Sequence, residues 1–354
     1  MTIAVFFYVV KNNFRPEDGK WLQSQLEAMA TEKGDCRFLV FSNIPDIIKP
    51  AHTAISIAQW KAPKLVLVRQ RTLQLWSRKA KAAGAEAVIC VGLSSMTNTG
   101  LPTFALLPAG VKLSPNALQK WQSKGSHFWV TSERDKAAAE QAGGRFVTVV
   151  AGGPMLPTIT GEEAADLVKD RYTEGCEYFL YAGPLAPTPV LIGLLKAFSR
   201  FKHRQKSSWK LVLLPAVSES SEVGELQKAL ATYKYRSEVV LPGPGVDETQ
   251  MAAIFTAAYA FVQPAVAGPY GLFLKDAISF GLPVVAASEA FNKELGGNAA
   301  LYYEGSDEQL LAECLMRVYK DEALRGRLAD AAKALAVQAG WSQSAAIAWQ
   351  SMGR

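Results

Sequence analysis

Two kinds of apolar spacing alternate along this chain. Short runs, unbroken for four to eight residues, alternate with longer stretches whose apolar positions return every three or four residues. The first kind reads as buried strand and the second as amphipathic helix. In the first half the spacing predicts strands over Ile3–Val10, Cys36–Phe41, Ala87–Val91, Thr103–Leu107, Phe128–Thr131 and Arg145–Val150. It predicts helices over Asp18–Lys33, where Trp21, Leu22, Leu26 and Met29 share a face, and over Thr72–Ala83, Pro115–Lys124 and Ser132–Ala142. Gly34 ends the first helix, and Ser132 is placed as an N-cap. Gly152-Gly153-Pro154 breaks the pattern and Glu162–Tyr172 reads as helix. The alternation then restarts with strands over Tyr178–Ala182, Leu211–Leu214, Val239–Leu241, Tyr259–Val262 and Val284–Ala286. The helices between and after them are Pro189–Phe201, Glu222–Thr232, Glu248–Thr256, Leu272–Phe280, a turn near Asn292, Asp307–Tyr319 and Leu324–Ala339. A last helix follows Trp341, with Ser342 as its expected N-cap. Strands separated by helices imply parallel sheets. The expectation is an α/β protein of two Rossmann-like halves facing a cleft, residues 1–170 and 171–340.

Composition narrows the class. The chain has 354 residues, 49% of them hydrophobic and 20% charged, which suits an ordinary globular protein of two domains. Met1–Val10 lacks a basic stretch and a small-residue cleavage site, and no apolar run is long enough to span a bilayer. Cys36, Cys90, Cys176 and Cys314 are far apart and read as reduced core thiols. His52, His127 and His203 are isolated, so no metal site is expected. The cytoplasm is the expected compartment.

Charge is uneven. Between Asp46 and Glu133 the only acidic residue is Glu86, while Lys49, Lys61, Lys64, Arg69, Arg71, Arg78, Lys79, Lys81, Lys112, Lys120 and Lys124 fall in the same window. Trp60, Leu73, Leu75 and Trp76 interleave with the first part of it. The stretch 49–81 fits a solvated face of an α/β domain, peripheral contact with the inner face of an anionic membrane, or a phosphate-bearing acceptor. Nucleic acid is not expected, because no known module is present and the rest of the chain is not basic.

The most telling segment runs from Tyr259 to Val284. An apolar strand leads through Pro264 into a loop holding Gly268 and Gly271, the loop opens a helix carrying Lys275 and Asp276, and Gly281-Leu282-Pro283 returns to a strand. Backbone N–H groups at such a helix start favour anions. This segment resembles the donor-binding signature of family 4 glycosyltransferases, retaining enzymes of GT-B fold. Further stretches carry the resemblance: Tyr178 to Phe198, Asp247 to Phe255, Glu294 to Leu301, and Trp341-Ser342. Phe128 to Glu133 is similar to a strand end on the acceptor side. The resemblance implies a nucleotide-sugar donor, a glycan or lipid-linked acceptor, no metal and no other cofactor. It implies also that helix 341–354 returns to the first domain.

The departures from the pattern concern charge. Where the family has an Arg-Lys pair gripping the diphosphate, this chain has Thr188 and Pro189. Of the two signature glutamates, eight positions apart, Gly268 takes the first place and Asp276 the second. Pro108-Ala109 stands where the family has a His-Asp pair, and Lys11 to Asp18 replaces the glycine-rich loop near the sugar phosphates. Losing the cation pair costs roughly 3–6 kcal/mol, a factor of about 10² to 10⁴ in donor affinity. Because the diphosphate is also the leaving group, rate falls as well. The remaining donor-side candidates are Gly183, Gly243, Gly245, Gly271, Leu272, Lys275 and Asp276, with Lys275 or Arg15 as replacement cations. Three readings stay open: a divergent transferase, a pseudo-glycosyltransferase acting as partner or structural subunit, and a binding protein for another phosphorylated ligand.

Overall fold

A computed structural model describes residues 1–10, 15–59, 66–109, 114–159, 162–215, 220–243, 245–305, 307–338 and 340–353. The expectations for Lys11, Asn12, Asn13, Phe14, Trp60, Lys61, Lys64 and Lys112 lie outside the described residues. The chain divides into two compact units, Met1–Gly153 with Ala339–Arg354, and Pro154–Gln338. Both are parallel α/β units.

The first unit holds strands β1 (Thr2–Phe7), β2 (Arg37–Ser42), β3 (Ile55–Gln59), β4 (Ala87–Val91), β5 (Thr103–Leu106), β6 (His127–Val130) and β7 (Val147–Val149). They hydrogen-bond in the order β3-β2-β1-β4-β5-β6-β7, all parallel. Its helices are α1 (Pro16–Glu32), α2 (Val66–Ala82), α3 (Pro115–Gln122) and α4 (Glu133–Gln141). β4 is buried at every position, as expected of a central strand covered on both faces. On one face Phe6, Tyr8, Phe41 and Trp76 pack with ring centroids 5.5–6.0 Å apart. Ser132 caps α4 as expected, accepting from the Asp135 N–H at 3.0 Å.

The second unit begins with α5 (Glu162–Thr173) and contains β8 (Tyr178–Gly183), α6 (Pro189–Gln205), β9 (Lys210–Pro215), α7 (Ser220–Leu230), β10 (Val239–Val240), α8 (Glu248–Ala257) and β11 (Ala260–Gln263). It continues with α9 (Leu272–Ser279), β12 (Val284–Ala287), α10 (Ala290–Gly296), β13 (Ala300–Tyr303), α11 (Glu308–Lys320) and α12 (Glu322–Gln338). The sheet order is β10-β9-β8-β11-β12-β13, again all parallel. Strand alternation splits the core in two: Phe179 and Tyr181 enter one cluster with Phe198 and Phe201, while Tyr178, Leu180 and Ala182 enter the other with Phe255 and Phe261.

Several boundaries differ from the sequence expectation. The division falls at Gly153–Pro154 rather than at 170, because α5 packs against α8 inside the second unit. β3 and β13 were not expected. β1 stops at Phe7 rather than Val10, because the Tyr8 and Val9 N–H groups go to Ser95 Oγ and Asn43 Oδ1, both at 2.8 Å. The final helix, α13 (Trp341–Ser351), is capped by Gly340, not Ser342, whose hydroxyl instead donates to Glu32 Oε2 at 3.3 Å. α13 packs on α1: Trp349 Nε1 donates to Met29 O at 3.2 Å and Ser344 Oγ to Gln25 Oε1 at 2.6 Å. All four cysteines are free, and Cys176 is only half-buried. No described helix is long and apolar enough to cross a membrane.

Candidate functional site

In an open parallel sheet, ligands bind past the carboxyl ends of the strands where strand order reverses. In the second unit that place lies between β8 and β11. Two connections meet the rule: Pro184–Thr188, leading to α6, and Pro264–Gly271, leading to α9. Gly183 ends β8, and a side chain there would collide with the Tyr181 ring, whose hydroxyl would sit 2.5 Å from the added carbon. Tyr181 Oη donates to Pro184 O at 3.0 Å and closes the turn. Thr188 is the α6 N-cap and Pro189 its first residue; both are exposed, and the Thr188 hydroxyl makes no cap bond. Proline contributes no N–H, so the helix start presents fewer donors to an anion than one with ordinary residues.

The β11–α9 turn is tightly determined. Tyr270 and Gly271 both take positive φ, 65° and 63°, and Tyr270 is fully buried despite it. A methyl on Gly271 would fall 2.1 Å from Leu295 Cδ1, so a larger residue needs that side chain to move as well as a positive φ. The loop is held from α10 by Asn292, which is fully buried. Its Oδ1 accepts from the Ala267 N–H at 2.8 Å, and its Nδ2 donates to Ala265 O at 2.8 Å and Ala287 O at 3.0 Å. Gly268 differs: it is exposed, its φ of −59° suits any residue, and a side chain there would meet nothing within 4 Å. Leu272 is the first residue of α9, half-buried.

The two charged candidates on α9 are internal. Asp276 is 1% exposed, and its Oδ1 accepts from the Met155 N–H at 2.6 Å and the Leu156 N–H at 3.0 Å. Its carboxylate thus ties down the segment that enters the second unit. Lys275 is 7% exposed. Burial lowers its ammonium pKa to about 8, against the opposing pull of the Glu294 and Asp276 carboxylates. Gly243 and Gly245 follow the edge strand β10; Gly245 has φ +101°, which demands glycine, and both are exposed.

In the first unit the order reverses between β1 and β4. A polar network pins the strand ends there: Ser94 Oγ donates to Tyr8 O at 2.8 Å, Ser95 Oγ to Val91 O at 2.6 Å, and Asn43 Nδ2 to Val9 O at 3.0 Å. Pro108 and Ala109 follow β5, and Arg15 reaches them, with Nη1 donating to Ala109 O at 3.2 Å while Nη2 pairs with Asp18 at 2.8 Å. On α2, Arg71, Arg78, Lys79 and Lys81 are exposed, but Leu73 and Trp76 are fully buried. Of the apolar residues interleaved with the basic ones, Leu73 and Trp76 therefore face the core, while Leu75 is half-buried.

Asn292, Asn43, Ser94 and Ser95 were not singled out from sequence. Their only signal is a polar residue beside an apolar run, which is common in any loop. The described residues bring Gly183, Thr188, Pro189, Gly268, Gly271 and Leu272 to the β8 and β11 ends of one sheet, with Lys275 and Asp276 on the helix that follows.

Residues 166–335 match the family profile described as glycosyl transferases group 1. This segment is a group 1 glycosyltransferase domain, similar to family 4 enzymes, in a chain of GT-B fold. A D-inositol 3-phosphate glycosyltransferase of Pseudarthrobacter chlorophenolicus is 30% identical over 212 residues, covering 58% of this chain and 49% of that protein. An O-antigen chain mannosyltransferase B of Escherichia coli is 24% identical over 164 residues, covering 46% and 42%. The chain thus spans about half the length of the curated relatives it matches. Among solved structures, a glycosyltransferase from Rickettsia africae superposes with TM-score 0.78 at 13% identity, covering 97% of this chain and 95% of that one. Anabaena HepE in complex with UDP-glucose superposes with TM-score 0.71 at 17% identity, covering 99% and 100%. In this GT-B protein the group 1 domain spans α5 to α12, and it holds every donor-side candidate named above.

Proposed function

We propose that the protein is a pseudo-glycosyltransferase: a GT-B scaffold related to retaining enzymes that move a hexose from a nucleotide sugar to a glycan or lipid acceptor, serving as a non-catalytic partner in glycan assembly. One observation carries this reading. The α6 start offers Thr188 and Pro189, both uncharged, where a diphosphate needs cations. The two α9 residues nearest to a replacement point the same way. Asp276 has its carboxylate on the Met155 and Leu156 N–H groups, and Lys275 is buried. Arg15 is already paired with Asp18.

A second reading, an attenuated transferase, draws on the β11–α9 turn. Gly271 and Leu272 still open a helix at the strand ends, and backbone N–H groups there suit a phosphate. Titration calorimetry with UDP, GDP and their hexose derivatives separates the two. The pseudoenzyme predicts dissociation constants of about 100 μM or weaker, since a loss of 10² to 10⁴ is expected without the cation pair. A micromolar constant overturns it. The double variant Thr188→Arg with Pro189→Lys should tighten UDP binding at least about 100-fold if the missing cations are the cause.

A further inference from the structure

A second surface of the first unit lies at the amino ends of its strands. β7 is an edge strand, and the residue before it, Phe146, is 53% exposed. It is the only aromatic ring among the exposed large hydrophobics of the described residues. Its ring is braced from within. Phe146 packs on His127 at 5.3 Å, His127 on Phe104 at 5.4 Å, and Phe104 on Trp129 at 5.4 Å, with neighbouring rings inclined by 34–36°. Trp129 Nε1 in turn donates to Ser351 Oγ at 2.8 Å. The exposed phenyl is thus the outer end of a fixed ladder of rings.

The phenyl borders an open basin of about 600 Å³, lined also by Gln119, Gln122, Glu140, Gly144 and Arg145. Gln122 Oε1 accepts from the Arg145 N–H at 3.1 Å, which joins the α3 end to the strand lead. Gly144 sits tight against the end of α4, where a side chain would meet Ala139 O at 2.9 Å. The basin therefore combines one rigid apolar plate with two amides, a guanidinium and a carboxylate. Arg145 and Glu140 are exposed and of opposite charge, so the basin as a whole has no strong charge preference. Few ligands need an apolar plate and many uncharged hydrogen-bonding groups at once. A pyranose does: its C–H face covers an aromatic ring while its hydroxyls both donate and accept.

We propose that this basin is a glycan-holding subsite for a neutral oligosaccharide, separate from the strand-end loops where the resemblance places a nucleotide-sugar donor. All its residues precede β6 or β7, at the amino ends of the strands, whereas those loops follow the carboxyl ends. The choice of a sugar ligand rests in part on the reading of the protein as a glycan-assembly scaffold. The test measures holding rather than transfer, so the two ideas fail separately.

The full chain is probed on an array of neutral α- and β-linked hexose oligosaccharides, and retained oligomers are titrated against the wild type, Phe146→Ala, Phe146→Tyr and Arg145→Ala. The expected result is retention of at least one oligomer, a loss of about tenfold or more in Phe146→Ala, a smaller loss in Arg145→Ala, and recovery in Phe146→Tyr, which keeps the plate. Unchanged melting of the variants by circular dichroism shows that the fold is intact. The subsite is overturned if no oligomer is retained, if Phe146→Ala binds as well as wild type, or if UDP displaces the oligomer. It is overturned also if the wild type sediments as a dimer that Phe146→Ala dissolves, since the face is then a self-association surface.

Discussion

Substitution of Asp276 separates a structural carboxylate from a ligand-binding one. In the structure its Oδ1 takes two backbone N–H bonds, 2.6 Å from Met155 N and 3.0 Å from Leu156 N, and the residue is 1% exposed. Hydrogen bonds to a charged acceptor contribute about 1.5–3 kcal/mol each. Met155 and Leu156 are only half-buried, so water recovers part of that when the acceptor is removed. Asp276→Ala should therefore destabilise the second unit by about 2–4 kcal/mol. Asp276→Asn keeps an acceptor oxygen without its charge and should cost about half as much. Urea unfolding followed by circular dichroism measures both, with the lower-stability transition assigned to the second unit by its shift. UDP affinity, measured on the folded variants, should change less than threefold. If Asp276→Ala unfolds within about 0.5 kcal/mol of wild type yet loses more than tenfold in UDP affinity, the carboxylate is a ribose ligand and the structural argument fails.

The remaining predictions concern the same helix and its entry. Lys275→Met should stabilise the protein at pH 7 and lose that advantage as pH rises. The folded pKa of about 8 lies below the ordinary 10.5, so the unfolded chain holds more protons between those values and wild-type stability climbs across that window, by about 3 kcal/mol at full extent. A pH-independent difference between the two proteins from pH 7 to 10 contradicts the burial argument; tyrosine ionisation cancels in the comparison. Gly271→Ala should cost about 2–3 kcal/mol through the Leu295 overlap and the positive φ, while Gly268→Glu, into open space, should leave the melting midpoint within a degree or two. Asn292→Ala should cost about 3 kcal/mol by stranding the Ala267 N–H and the Ala265 and Ala287 carbonyls, read by the urea midpoint.

Buried strands and amphipathic helices were legible because unbroken apolar runs and a 3.6-residue period are both displayed directly by the chain. Thus the apolar runs behind β1, β4, β8 and β12 and the spacing behind α1 and α6 mark most of the parallel framework in the sequence itself. Two strands were missed. β3 breaks its apolar run at Ser56, between Ile55 and Ile57 at a sheet edge, and β13 has only four residues and follows the glycine-bearing turn Gly296-Gly297. Motif positions in the chain likewise put Thr188, Pro189 and Gly268 near the strand ends, with Asp276 on the helix that follows. What each side chain touches was decided by tertiary packing alone. Asp276 reads in the sequence as a carboxylate near an anion turn, but its partners are Met155 and Leu156, some 120 residues away in the chain. Lys275 reads as an available cation, but α9 turns it inward, where desolvation weakens its charge. Periodicity is a local property and survives translation into sequence; hydrogen-bond partners and burial are set by residues distant in the chain, and only the folded structure brings them together.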